Sequence, residues 1–395
     1  MSISKNIENS IKKSSWIRKM FETGVRLKKE FGEDKINDFS LGNPDLISPQ
    51  EFNSVLNEEA QTSGSFVHGY MPNGGYLSTR QAVAEYLNQE TGQNYSAQNI
   101  IMSVGAAGGL NVILKSLLNP DDEVIVIAPY FVEYDFYITN HGGKKIIADS
   151  TCDLLPDLKE IEAKITTKTK ALIINTPNNP TGKIYSKETL QELSDLLTRK
   201  SKDIGSTIYL LSDEPYKKII YDNNQYHSPV KFYDNTIIIS SFSKDLSLAG
   251  ERIGYIGINP QIKDAESIIN AATFCTRILG FVNAPALMQR VVARVLSANV
   301  DISKYQQRRD LLYNSLIDIG YKINKPEGAF YLFPESPIED DVAFVRILQE
   351  KFILTTPGSG FHRKGHFRIS YCVENKVIER SIDGFRKAFQ EVQNK

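Results

Sequence analysis

The chain has 395 residues, the length of one large domain or two ordinary ones, and enough to bury a substantial core. Its 46 Lys plus Arg balance 47 Asp plus Glu, which leaves no overall electrostatic footprint for nucleic acid. No apolar run approaches the length that spans a membrane, and the polar stretch 1–16 lacks the apolar core of a secretory signal. Cys152, Cys275 and Cys372 are odd in number, far apart and without metal-type spacing, so they read as free thiols of a reducing cytoplasm. Among the five histidines only His362 and His366 have helical spacing, and no carboxylate lies between them, so no metal site is expected.

A helix is expected over 15–29, with Trp16, Ile17, Met20, Phe21 and Val25 on one face. A short extended piece over 38–41 runs into Gly42-Asn43-Pro44-Asp45, a turn-forming cluster. His68-Gly69-Tyr70-Met71-Pro72-Asn73-Gly74-Gly75 reads as a loop before a helix over 78–89. From residue 99 onward, apolar strands alternate with helices. The strand 99–104 ends in Gly105-Ala106-Ala107-Gly108-Gly109 and opens into a helix over 110–118, so free N–H groups and the helix dipole would face a bound anion. The strand 124–127 ends in Pro129-Tyr130-Phe131, and 171–174 leads into Pro177-Asn178-Asn179-Pro180-Thr181-Gly182, a loop fixed by two prolines. The strand 208–211 ends in Ser212-Asp213-Glu214-Pro215-Tyr216. The strand 236–239 ends in Ser241-Phe242-Ser243-Lys244, with Arg252 eight positions after the lysine. A lysine at the carboxyl end of a buried strand is where open α/β sheets hold ligands. Beside a second cation its amine loses a proton more easily and becomes a nucleophile; the competing reading is an ordinary loop lysine.

After this segment, helices are expected over 264–272, 285–298 and 302–319. The stretches 321–325 and 329–333 suggest a small antiparallel unit around Pro326-Glu327-Gly328. Arg368 lies on an extended run between apolar neighbours, where a guanidinium is costly unless a carboxylate pairs with it, from a ligand or from the protein itself.

Ser-x-Ser-Lys followed by Gly-x-Arg-x-Gly-Tyr over 241–255, together with Pro-Asn-Asn-Pro-Thr-Gly over 177–182, resembles the class I/II (fold-type I) aminotransferases, the aspartate and aromatic aminotransferase group. That resemblance covers nearly the whole chain. It implies an α/β fold with a mostly parallel seven-stranded sheet and a smaller α+β domain. The implied division is an N-terminal arm with part of the small domain over 1–50, a large cofactor-binding domain over 51–285, and a small C-terminal domain over 286–395.

The implied cofactor is pyridoxal 5′-phosphate, and the implied reaction is ping-pong transfer of an amino group between an L-amino acid (aspartate, glutamate or aromatic) and a 2-oxo acid. By the same resemblance Lys244 binds the cofactor aldehyde, Asp213 faces the pyridine nitrogen, and Asn179 and Tyr216 share the phenolic oxygen. Phe131 stacks on the ring or serves as a core aromatic. Gly105, Ala106, Ala107, Ser241, Ser243 and Arg252 hold the phosphate; the hydroxyl residue usual in the first loop is replaced by alanine, which puts more weight on the last three. Tyr70 reaches the phosphate of the other subunit of a homodimer. Gly42, Asn179 and Arg368 take the substrate carboxylate. Some relatives bind a second substrate carboxylate with a lysine at the position of Ala107, which is absent here; others use an arginine of the neighbouring subunit, for which Arg277 is the candidate, its alternative being a surface or interface arginine without that role. Two rivals share most of these residues: a C–S β-lyase of the same fold, and a regulatory protein that binds the cofactor. The second needs a DNA-binding domain, and 1–40 is short for one.

Overall fold

In a computed structural model, which describes residues 3–12 and 16–394, the twelve strands are β1 (Asn37–Asp38), β2 (Ile100–Ser103), β3 (Glu123–Ala128), β4 (Lys144–Asp149), β5 (Thr169–Asn175), β6 (Tyr209–Asp213), β7 (Thr236–Ser241), β8 (Gly254–Ile258), β9 (Tyr331–Leu332), β10 (Ile353–Leu354), β11 (Thr356–Pro357) and β12 (Phe367–Ser370). Seven of them form one sheet in the order β2-β8-β7-β6-β5-β3-β4. Only β8 runs against its neighbours: it is antiparallel to both β7 and β2, so β2 points the same way as the other five. The carboxyl ends of β2, β3, β5, β6 and β7 therefore meet on one edge of the sheet.

Side-chain alternation explains the layers. Val124, Val126, Ile173, Leu211, Ile237 and Ile239 face one side, where they pack on Leu110, Ile113 and Leu114 of the helix Gly105–Leu117. Ile125, Ile127, Leu172, Ile174 and Leu210 face the other side and meet Leu190, Leu193 and Leu197 of the helix Lys187–Ile204. A parallel sheet covered on both faces needs such continuous apolar runs. The expected strands 124–127, 171–174, 208–211 and 236–239 all fall on sheet strands.

β8 begins inside the glycine-rich motif and is not among the strands expected from sequence. A Cβ at Gly254 would lie 2.4 Å from the Ser240 carbonyl oxygen and 3.1 Å from the Gly105 backbone, so close approach of three chain segments requires glycine there.

The second core unites Phe39 with Tyr305, Leu312, Leu316, Phe344, Phe367, Ile369 and Phe385. Here β1 pairs with β10 and β9 pairs with β12, which ties the N-terminal arm to the C-terminal third. Met288, Val291, Val292 and Val295 pack with Phe52 and Val83, on the helices Gln50–Ala60 and Leu77–Thr91, and with Tyr255 of β8. The antiparallel unit expected within 321–333 does not form. Glu327 and Gly328 donate their N–H groups to the Gly182 carbonyl at 2.9 Å each, Tyr321 turns its ring among Phe344, Phe367 and Phe389, and Tyr331–Leu332 pairs with β12. The first long helix spans Trp16–Phe31; Val25 on its expected apolar face is exposed, and the side chains of Trp16, Ile17, Met20 and Phe21 lie outside those described. Among the described residues no helix is long and apolar enough to cross a membrane.

Candidate active site

The strand ends and the small domain enclose a cavity of about 240 Å³. Gly42, Ala106, Ala107, Phe131, Asn179, Asp213, Tyr216, Ser241, Ser243, Lys244, Arg252 and Arg368 all line it. Register explains part of this convergence: Asn175 ends β5 directly beside Asp213, which ends β6, and Ser241 ends β7 opposite Gly254.

Lys244 Nζ donates to the Gly42 carbonyl at 2.7 Å. Its amine lies 5.5 Å from the centre of the Phe330 ring and 5.9 Å from that of Tyr216. Removal of the ammonium from water, helped by the charges of Arg368 and Arg252, brings its pKa down to about 8. The amine is thus closer to its nucleophilic form than that of a solvated lysine.

Asp213 is buried. Its Oδ2 accepts a short hydrogen bond from the Tyr134 hydroxyl, and its backbone carbonyl accepts from Asn175 Nδ2 at 2.8 Å. Its Oδ1 is buried with no partner among the described residues. Desolvation, aided by the neighbouring Glu214, pushes the carboxyl up to about 7, against the pull of Tyr134 and Lys244. A buried carboxylate oxygen left open in a cavity calls for a cationic donor.

Arg368, on β12, is 1% exposed and held without a protein carboxylate among the described residues, so the internal ion pair is ruled out there. Its Nη1 donates to Asn179 Oδ1 at 3.1 Å and its Nη2 to the Ser40 carbonyl at 2.5 Å, while Nε is buried and unpartnered. The rings of Tyr331 and Phe361 flank the guanidinium, each centroid 4.8 Å away. Asn179 is held by its own N–H, which donates to Asn175 Oδ1 at 2.7 Å. With its Oδ1 taken by Arg368, its amide NH2 remains as a donor.

At the other end of the cavity the helix Gly105–Leu117 begins with Ala106 and Ala107 facing inward. Gly105 has φ +70°, and a Cβ there would lie 2.7 Å from Arg252 Nη2. The missing side chain leaves a cradle between helix N-terminus and guanidinium, rimmed by the Ser241 and Ser243 hydroxyls, which suits a phosphate. Phe131 both lines the cavity and meets Tyr134 edge-on at 5.7 Å.

Two expected residues lie elsewhere on the chain. Tyr70 is 92% exposed and Arg277 is exposed with its guanidinium 5.1 Å from the Phe274 ring; neither lines the cavity. Sequence reasoning missed Tyr134, Tyr137, Asn175 and Tyr331. Asn175 carried a usable signal as the polar residue that closes an apolar strand. Tyr134 and Tyr331 carried none, because an aromatic hydroxyl near a strand reads the same in a core.

A family model described as aminotransferase class I and II matches residues 34–385. A probable aspartate aminotransferase of Methanocaldococcus jannaschii is 32% identical over 396 residues, covering 96% of this chain and 98% of that one. An aspartate/prephenate aminotransferase of Thermus thermophilus is 31% identical, covering 88% and 89%. An amino transferase crystal structure from Eubacterium rectale superimposes with a TM-score of 0.95 at 38% identity, covering 99% of both chains, and the Thermus thermophilus aspartate aminotransferase with maleate does so at 0.87 and 26%, covering 98% of this chain and all of that one. A family match that spans both domains and the whole set of strand ends places this chain among the class I and II aminotransferases, with the aspartate aminotransferase fold.

Proposed function

We propose that this aminotransferase binds pyridoxal 5′-phosphate in the cavity and moves the amino group of an L-amino acid, aspartate, glutamate or aromatic, to a 2-oxo acid by a ping-pong mechanism. The observation that carries the reading is that one cavity is lined by Lys244 and by two residues whose buried polar atoms, Asp213 Oδ1 and Arg368 Nε, have no partner among the described residues. The residues fit the cofactor: Asp213 would take its ring nitrogen, Asn179 and Tyr216 its phenolic oxygen, and Phe131 a ring face. The Gly105 cradle with Ser241, Ser243 and Arg252 would take its phosphate. When bound, the cofactor supplies an aldehyde and an electron-withdrawing ring.

The chain supplies the rest. Lys244 Nζ would hold the aldehyde and, with its amine free, would take the proton from the substrate Cα. Asp213 would keep the ring nitrogen protonated. Arg368 grips the α-carboxylate through its fork, with Gly42 beside it, and the aromatic walls exclude water. Names of relatives support aspartate as one amino donor. The active unit is proposed to be a homodimer in which the exposed Tyr70 of each copy completes the phosphate site of the other; Tyr70 is exposed and does not line the cavity of its own chain. The large domain is proposed to span about 51–285, with the small domain built from both ends of the chain.

Borohydride reduction followed by peptide mapping tests the site, with a pyridoxyl label expected on Lys244 alone. Product analysis tests the reaction. Stoichiometric exchange of amino groups with 2-oxoglutarate is expected, along with parallel double-reciprocal plots. Pyruvate and ammonia from a sulfur amino acid would instead mark a C–S β-lyase.

A further inference from the structure

We infer that Tyr331 is a positioning residue that couples the two halves of this site, its hydroxyl polarising Tyr216 toward the cofactor oxygen and its ring locking the Arg368 fork. The inference rests on the proposed binding of pyridoxal 5′-phosphate. Tyr331 is buried on β9 of the small domain, whereas Tyr216 follows β6 of the large one. Their hydroxyl oxygens are 2.7 Å apart, and the two rings meet edge-on at 5.6 Å. The Tyr331 ring also lies 4.8 Å from the Arg368 guanidinium. The contact is built for: a Cβ at Gly42 would lie 2.1 Å from the Tyr331 hydroxyl, so only glycine lets that hydroxyl stand where it does, while the same Gly42 holds Lys244 Nζ through its carbonyl.

Counting protons gives the direction of the chain. Each phenol has one proton to donate. Burial pushes the Tyr331 phenol up to about 12, so it stays protonated near neutral pH, and burial likewise raises the Tyr216 phenol well above its ordinary value. With the Tyr216 hydroxyl donating its hydrogen bond to the cofactor oxygen, its own oxygen would be free to accept, and the Tyr331 hydroxyl at 2.7 Å is placed to donate to it. A donor that itself accepts a hydrogen bond is the stronger donor. Tyr331 therefore stabilises negative charge on the cofactor oxygen at second hand and favours the deprotonated form of the linkage to Lys244. Its ring face does separate work by holding the guanidinium plane for the substrate carboxylate.

The test uses holoenzyme and two variants. In Tyr331→Phe the ring remains and the hydroxyl is lost. The midpoint of the pH-dependent absorbance of the bound cofactor should rise by roughly half a pH unit, the size expected for one hydrogen bond. KM for the amino donor should stay within about twofold, because the ring on Arg368 is kept. In Tyr331→Leu the flanking ring is also lost. KM and the dissociation constants of succinate and 3-phenylpropionate, used as carboxylate probes, should rise about fivefold or more. A Tyr331→Phe midpoint equal to wild type would overturn the coupling, and unchanged probe binding in folded Tyr331→Leu would overturn the ring's part in it. Tyr331→Phe is isosteric, so the first test stands even where the leucine variant does not fold. Failure of the underlying reading looks different: wild type itself would then show no pH-dependent cofactor band.

Discussion

A carboxyl group with a pKa of about 7 is a poor constant partner for a cation, and Asp213 has that value only while its Oδ1 faces nothing. Its raised pKa means that ionisation is opposed in the folded state, so the stability it permits is fully present below the unfolded carboxyl pKa and is lost as pH rises toward 7. Thermal unfolding of cofactor-free protein at pH 5 and pH 8 should show this loss in wild type and less of it in Asp213→Ala. In holoenzyme the same substitution should lower kcat by at least about a hundredfold, the scale of losing one preorganised electrostatic partner. Measured turnover near wild type with full cofactor occupancy would remove Asp213 from its role. Asp213 and Arg368 stood out in the pattern itself, because each is a polar residue closing or interrupting an apolar run, a placement that costs energy without a partner, whereas Asn179 and Lys244 lie in loops beyond the strand ends and rested on the motifs around them. Tyr134 and Tyr331 were not legible from sequence, because a buried tyrosine whose hydroxyl finds a partner costs little and leaves no anomaly in the pattern.

At the scale of elements, the small domain is fastened to the large one beside the cavity mouth. The turn Gly358–Phe361 places Phe361 on Arg368 and then presents His362 to the large domain. The His362 ring stacks on Tyr130 at 4.9 Å, and its Nε2 is 3.2 Å from Asp135 Oδ2. Asp135 also accepts from Tyr130 Oη at 2.6 Å and from Lys145 on β4 in a short contact. Burial would raise the Asp135 carboxyl, but the bonds from His362, Lys145 and Tyr130 outweigh it and hold the group below its ordinary range. The stabilisation is therefore present above the unfolded carboxyl pKa and lost as pH falls through the lowered folded value. Asp135→Asn should cost roughly 1–3 kcal/mol at neutral pH, read as a lower Tm. The gap from wild type should begin to narrow as the pH falls through about 4, the unfolded carboxyl value, and close only below the lowered folded value, where the Asp135 side chain too is neutral. A gap that persists unchanged in acid would show that the charge is not what binds the domains. Contacts of this kind join residues more than two hundred positions apart, here Asp135 and His362, and no local pattern announces them. The central strands could be read because burial on both faces demands unbroken apolar runs. β8 could not, since Gly254 answers to a close approach of other backbone and Gly257 to packed side chains, Leu87 first, rather than to strand propensity.

For the molecule as a whole, the open question is what meets the side chain of the substrate. The cavity presents three cations of its own chain: Lys244 and Arg252, proposed for the cofactor, and Arg368, proposed for the α-carboxylate. Ala107, which lines the cavity, brings no charge to it, and the proposed homodimer would let a further cation come from another copy. Arg277 is on the surface, on a helix whose Phe274 and Ile278 are 51% and 49% exposed, and exposed apolar side chains beside an arginine suit a face covered by a partner. If Arg277 crosses the interface as the proposed Tyr70 does, the enzyme accepts aspartate or glutamate as amino donor. Truncating one partner of a desolvated, bidentate carboxylate pair costs roughly 2–5 kcal/mol. Arg277→Gln should then raise KM for aspartate more than about tenfold and leave KM for phenylalanine nearly unchanged. Measuring kcat/KM for both substrates in wild type and variant decides the matter, because loss of the dimer itself would depress both together. An equal change for aspartate and phenylalanine would take Arg277 out of the site. The walls given by Leu41 and Tyr331 would then favour an aromatic or aliphatic amino donor, with the dicarboxylate entering only as the 2-oxo acid that accepts the amino group.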